Sequence, residues 1–179
     1  NNSPYDGSLT NINRVLNNEN KLINMYELND LTGSLAKDRL IKLYICTWNV
    51  NCKAPGYDLK RLIKFDDEKN IPDMCVFGLQ EVNSKPFQRI LDAIFWDPWT
   101  SELTQELCKK YDYVRIKSTR LVGIILNVFV RRQLVPLIRF SIDSWIRLGF
   151  WGFWGNKGAN ICTINMGGSC NICFVNGHL

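Results

Sequence analysis

The run Met74-Cys75-Val76-Phe77-Gly78-Leu79 is apolar throughout the length of a strand and then ends in Gln80-Glu81. A strand with no polar position along it is covered on both faces, which is how central strands sit in layered α/β folds. Glu81 adds a second constraint. A carboxylate just past a buried strand is costly unless it stands on an exposed rim or holds a cation. By itself it reads most simply as a cap or surface acid.

The neighbouring segments fit the same architecture. Ile41, Leu43 and Ile45 alternate with Lys42, Tyr44 and Cys46 and lead into Trp48-Asn49, a strand period. Ala54-Pro55-Gly56 breaks the chain, and Leu59, Leu62, Ile63 and Phe65 predict a short helix with one buried face. Phe87, Ile90, Leu91, Ile94 and Phe95 follow helical spacing after Pro86. Asp97-Pro98 reads as a cap and first-turn proline for a further helix with Trp99, Leu103 and Leu107 on one face. Strand-like runs follow at 113–117, 121–130, 139–147 and 159–166. Gly167-Gly168 then predicts a hairpin turn into a returning strand over 171–175. The whole predicts an α/β protein, helices and sheets in layers.

Residues 1–38 are rich in Asn and read as an N-terminal extension or linker, with 39–179 as the folded part. The chain begins on Asn1 rather than Met and stops just after an apolar strand, so it reads as a piece of a larger domain. Its 22 basic and 17 acidic residues give a net charge of +5. That excess suits an anionic partner, whether phosphoinositide, nucleic acid or acidic membrane, and equally an ordinary solvated surface. Seven cysteines without framework spacing predict reduced thiols, and Cys170 and Cys173 fall on opposite faces of a strand. No apolar run is long enough to span a bilayer, and no signal peptide is visible.

Three polar residues stand at strand ends: Asn49, Glu81 and His178, the only histidine. An amide can orient a carboxylate or donate to a phosphate oxygen, though Asn49 alone suits an Asx-turn equally well. An imidazole can donate to a phosphoryl oxygen or move a proton near neutral pH, though a lone histidine is more often structural. Gly155-Asn156-Lys157-Gly158 offers amides and an ammonium in a glycine-flanked segment, which suits either a phosphate grip or a plain turn. The preceding Phe150, Trp151, Phe153 and Trp154 lie among glycines and read as a membrane-facing loop or as core.

Taken in order, these segments resemble the inositol polyphosphate 5-phosphatases. The segments that match are Trp48-Asn49-Val50-Asn51, Gly78-Leu79-Gln80-Glu81-Val82-Asn83, Arg120-Leu121-Val122-Gly123-Ile124, Trp154-Gly155-Asn156-Lys157-Gly158-Ala159 and Asn176-Gly177-His178-Leu179. The aromatic loop and Phe95-Trp96-Asp97 resemble the subgroup of skeletal-muscle and kidney-enriched and proline-rich 5-phosphatases. The resemblance implies a four-layered α/β sandwich of the DNase I-like type, incomplete over this length. It also implies Mg²⁺-dependent removal of the 5-phosphate from phosphoinositides or soluble inositol polyphosphates.

Carried across by position, the resemblance makes Glu81 the metal ligand, Asn49 and His178 the partners of the scissile phosphate, and Asn156 and Lys157 part of the substrate pocket. It places Phe150, Trp151, Phe153 and Trp154 against the bilayer. It implies a cytoplasmic protein touching anionic membrane at its periphery, with no nucleic acid partner. The family's later Gly-Asp-Leu-Asn, Trp-Cys-Asp-Arg and Ser-Asp-His segments lie outside the sequence, so the chain alone is expected to be inactive. A DNase I-like nuclease and a non-catalytic phosphoinositide-binding module are the alternative readings.

Overall fold

The computed structural model describes residues 40–63, 65, 71–82, 97–121, 123–150 and 154–178; for residues 57, 149, 150 and 154–156 it describes the backbone alone. The expected extension over 1–38 and the helix expected near 86–95 lie outside the described residues.

Strands β1 (Leu43–Asn49) and β2 (Met74–Gln80) pair in parallel, with Leu43 opposite Met74 and Asn49 opposite Gln80. Between them lies helix α1 (Tyr57–Leu62). Helix α2 (Pro98–Lys110) starts at Asp97, whose side chain caps the Trp99 amide at 3.0 Å, and has Pro98 in its first turn. β3 (Tyr113–Leu121) and β4 (Ile124–Arg131) then form an antiparallel hairpin that completes one sheet in the order β1-β2-β4-β3. A 3₁₀ turn over Arg132–Leu137 leads into β5 (Ile138–Phe150), β6 (Trp154–Met166) and β7 (Cys170–His178), a second, antiparallel sheet in that order.

The unbroken apolar run of β2 does what its sequence predicts: every residue of the strand is buried. Cys75, Phe77 and Leu79 point into a core shared with Leu59 and Ile63 of the α1 segment and Trp99, Leu103 and Leu107 of α2. Met74 and Val76 point the other way, into a core between the sheets with Val128, Val130, Cys162, Ile164 and Phe174. Each such side chain contributes about 1.5–3 kcal/mol on burial, so this strand anchors both layers. The described residues thus build a helical layer and two packed sheets of a mixed α/β fold.

Three expectations need correcting. The run over 121–130 is two strands, because Gly123 takes φ 75° and turns the chain, a conformation that glycine adopts at no steric cost. The Gly155–Gly158 segment is part of β6 rather than a turn. The last strand continues through His178 instead of ending at Val175, because pairing with β6 persists as far as Gly158 opposite His178.

Candidate active site

The parallel register of β1 and β2 ends with Asn49 opposite Gln80, so the next residue, Glu81, emerges beside Asn49. Asn49 Nδ2 donates to Glu81 Oε1 at 2.8 Å, while its Oδ1 accepts from the Asn51 amide at 2.9 Å. The turn role and the carboxylate-orienting role are therefore held by one side chain. Two backbone bonds lock the crossing: Val50 N to Gln80 O and Cys52 N to Glu81 O, each 2.9 Å. Asn51, Cys52 and Glu81 all have left-handed backbones, with φ of 48°, 58° and 56°. Non-glycine residues there cost about 1–3 kcal/mol each, and such strain gathers where surrounding structure fixes a functional group.

His178 arrives from the other sheet by simple alternation. Phe174, Asn176 and His178 share the face of β7 that looks toward β2. Phe174 lies in the core between the sheets. Asn176, 5% exposed, bridges to the first sheet: its Nδ2 donates to Leu79 O (3.1 Å) and Ile125 O (2.9 Å), and its Oδ1 accepts from Gln80 Nε2 at 2.6 Å. Gln80 Nε2 also reaches Thr47 Oγ1 and Gly78 O, each at 3.1 Å. Gly78 makes room for this bridge, because a Cβ there would sit 2.9 Å from Asn176 Cγ. One step beyond the bridge, His178 Nε2 stands 3.7 Å from Glu81 Oε1.

Lys157 completes the group. Its Nζ lies 3.0 Å from His178 Nε2. An ammonium has only protons to offer, so Nε2 is the acceptor and Nδ1 carries the ring proton. Nδ1 is buried and makes no hydrogen bond among the described residues. Gly158, beside Lys157, has φ 152°, and a Cβ there would meet Ile146 O at 2.3 Å, so only glycine fits where β6 presses on β5. The Glu81 side chain is 30% exposed and that of His178 15%, so the cluster opens at a rim.

Of the residues singled out in the sequence, the structure brings Asn49, Glu81, Lys157 and His178 together. Asn156 lies in β6 with only its backbone described. The side chains of Phe150 and Trp154, and Trp151 and Phe153 entirely, lie outside the described residues. The bridging pair Gln80 and Asn176 was not singled out for a role. Its signal was present: a polar residue next to apolar ones on the inward face of each strand, each two positions or fewer from a candidate.

Among the described residues no group of three or more His, Cys, Asp or Glu converges. Glu81 nonetheless suits a hard cation that keeps most of its water and binds through one or two carboxylates. Asn49 fixes Oε1, and no described residue engages Oε2. No helix among the described residues is long and apolar enough to cross a membrane.

The model of endonuclease/exonuclease/phosphatase family 2 matches residues 46–179, nearly all of the described fold and every residue of this cluster. The chain belongs to that family, within the DNase I-like superfamily that includes the inositol polyphosphate 5-phosphatases. Among curated proteins it is 34% identical over 130 residues to mouse inositol polyphosphate 5-phosphatase K, covering 72% of this chain and 28% of the relative. It is 35% identical over 140 residues to human phosphatidylinositol 4,5-bisphosphate 5-phosphatase A, covering 77% and 14%. The chain thus spans less than a third of these relatives.

Among solved structures it resembles the 5-phosphatase domain of SPsynaptojanin in complex with inositol (1,4)-bisphosphate and calcium, with TM-score 0.64 and 22% identity. That match covers 98% of this chain and 47% of that one. Cimex nitrophorin, a ferrous NO complex, matches with TM-score 0.57 and 14% identity over 75% of the chain and 45% of its own. A fold shared that widely does not fix the chemistry; the site residues must.

Proposed function

We propose that the protein acts in Mg²⁺-dependent hydrolysis of the 5-phosphate of phosphoinositides such as phosphatidylinositol 4,5-bisphosphate, of soluble inositol polyphosphates, or of both. The carrying observation is the convergence of Glu81, Asn49, His178 and Lys157 from both sheets on one rim. The similarity to proteins named as inositide 5-phosphatases supports it. The identity is higher to 5-phosphatases K and A, 34–35%, than to rat synaptojanin-1, 28%.

Glu81 would hold the cation, held in turn by Asn49. When bound, Mg²⁺ supplies a Lewis acid that offsets charge on the phosphoryl oxygens during attack by water. Lys157 presents an ammonium to the same oxygens; once a phosphate engages that ammonium, His178 Nε2 no longer accepts from it and can carry a proton of its own to donate beside it. Asn156, next to Lys157, would line the substrate pocket. Gln80 and Asn176 touch no substrate; they keep the two halves of the cluster at fixed spacing. Removing one preorganised donor from such a site costs about 2.7–4 kcal/mol of transition-state stabilisation.

The chain spans less than a third of these relatives, so turnover is proposed for the complete domain. Phe150, Trp151, Phe153 and Trp154 are proposed to meet the membrane from a cytoplasmic protein. The experiment is a paired assay of that domain with Mg²⁺: inorganic phosphate release from inositol 1,4,5-trisphosphate, and nicking of supercoiled DNA. Phosphate release without nicking supports the reading; nicking without release assigns the same cluster to a nuclease.

A further inference from the structure

Helix α2 divides its polar residues between two flanks. On the flank toward α1, Glu106 pairs with Lys60 at 3.7 Å and Lys110 at 3.9 Å. The other flank hangs over β3 and encloses with it a groove of about 630 Å³, whose α2 wall includes Ser101, Thr104 and Lys109. β3 supplies the floor with Arg115, Ser118 and Arg120.

The floor depends on an irregularity in the strand. Arg115 and Arg120 are five residues apart, so a regular strand would put them on opposite faces. The register shift between Arg115 and Lys117 inserts one extra residue and resets the alternation. After it, Lys117 and Thr119 turn to Asp143 of the second sheet, at 2.5 and 3.4 Å. Ser118 and Arg120 thereby join Arg115 on the helix side. Arg115 Nη1 is steadied by Thr104 Oγ1 at 3.1 Å.

The groove therefore gathers three cations against a single carboxylate, Asp97, and that carboxylate already caps α2 through Trp99 N and the Thr100 hydroxyl. Serine and threonine hydroxyls alternate with the charges. Burial pushes the Cys108 thiol up, so it adds a neutral group rather than a nucleophile.

We propose that this groove is a second anion site that takes a small molecule carrying several phosphates, for which inositol 1,4,5-trisphosphate serves as the probe. Guanidinium groups grip phosphate oxygens in pairs, and the volume falls within the roughly 300–1,000 Å³ of small-ligand pockets. Among the described residues of the lining no aromatic ring offers a nucleobase a stacking face, which favours a ligand held through its phosphates. The site is separate from the Glu81 rim. Arg120 lies two strands from Leu79 in register, about 10 Å away, and faces the helices, whereas His178 meets Glu81 from the second sheet. The inference does not depend on the hydrolytic reading.

The test is calorimetric titration of the protein with inositol 1,4,5-trisphosphate in EDTA, which prevents turnover. Wild type is expected to show two sites. Arg115→Gln/Arg120→Gln should weaken one of them at least about tenfold, the loss of one charged hydrogen bond or more. Ser101→Asp/Ser118→Asp, at two exposed positions, should do the same by adding repulsion without removing any packing.

Lys157→Gln should remove only the other site. If Lys157→Gln changes nothing while the groove variants lose binding, the rim reading fails and the groove stands. Binding to phosphatidylcholine vesicles with and without phosphatidylinositol 4,5-bisphosphate separates the sources. Groove variants that lose both vesicle and soluble binding mark a site open to lipid headgroups, and loss of soluble binding alone marks one for free inositol phosphates. Unchanged binding by both groove variants overturns the proposal.

Discussion

Asn176 Oδ1 accepts from Gln80 Nε2 at 2.6 Å across the gap between the two sheets, so one buried amide ties the strand of His178 to the strand of Glu81. Two further bonds from its Nδ2 go to Leu79 O and Ile125 O. Asn176→Ala should therefore destabilise the fold by about 2–4 kcal/mol, because buried polar partners are left unpaired. Gly78→Ala should act on the same bridge, since its Cβ would lie 2.9 Å from Asn176 Oδ1. Denaturant unfolding of the double variant should show a loss clearly smaller than the sum of the singles.

The seven thiols should react in groups. Cys52, Cys170 and Cys173 are exposed, Cys108 is half-buried, and Cys46, Cys75 and Cys162 are buried. Timed titration with a thiol reagent on the native protein should show three fast equivalents and one slower one. The remaining three should appear only on unfolding.

Burial raises the Cys75 and Cys162 thiols from 9.0 to about 12, by desolvation first. Their neutral form is favoured in the folded state. The sign follows: their contribution is whole below pH 9 and is lost as the pH climbs from 9 toward 12, where unfolded thiols ionise and folded ones do not. Unfolding midpoints measured across that range should fall, and Cys75→Ser/Cys162→Ser, whatever its lower starting stability, should show a shallower slope.

Ile142, Ile146 and Val175 stand on the face of the second sheet that no described element covers, 50%, 55% and 64% exposed. Apolar sheet surface next to strand edges promotes association. Ile146→Glu/Val175→Glu should lower concentration-dependent association in sedimentation runs and change unfolding free energy by no more than about 0.5 kcal/mol.

Much of this was legible in the sequence where pattern and burial coincide. β2 was readable because nothing polar interrupts it, and the Asp97-Pro98 start of α2 because cap chemistry is local. Asn49, Glu81, Lys157 and His178 could be singled out one by one, yet their meeting depends on sheet order, a long-range property that no local pattern carries. The alternation over Leu43 and Ile45 marks a strand but not its buried face. Those two side chains are exposed, because the three-stranded second sheet does not cover them, while Cys46 is buried toward the helices. The β3 bulge that gathers the arginines left no trace, since it arises from pairing with β4.

Steady-state phosphate release from inositol 1,4,5-trisphosphate by the complete catalytic domain, with Mg²⁺ varied, tests the convergence of Glu81 and His178 on one phosphate most directly. Glu81→Gln and His178→Ala are each expected to lower kcat by about 10²–10³, with KM little changed and with the Mg²⁺ requirement of Glu81→Gln shifted to higher concentration. Variants that keep wild-type kcat and alter KM alone would contradict the account.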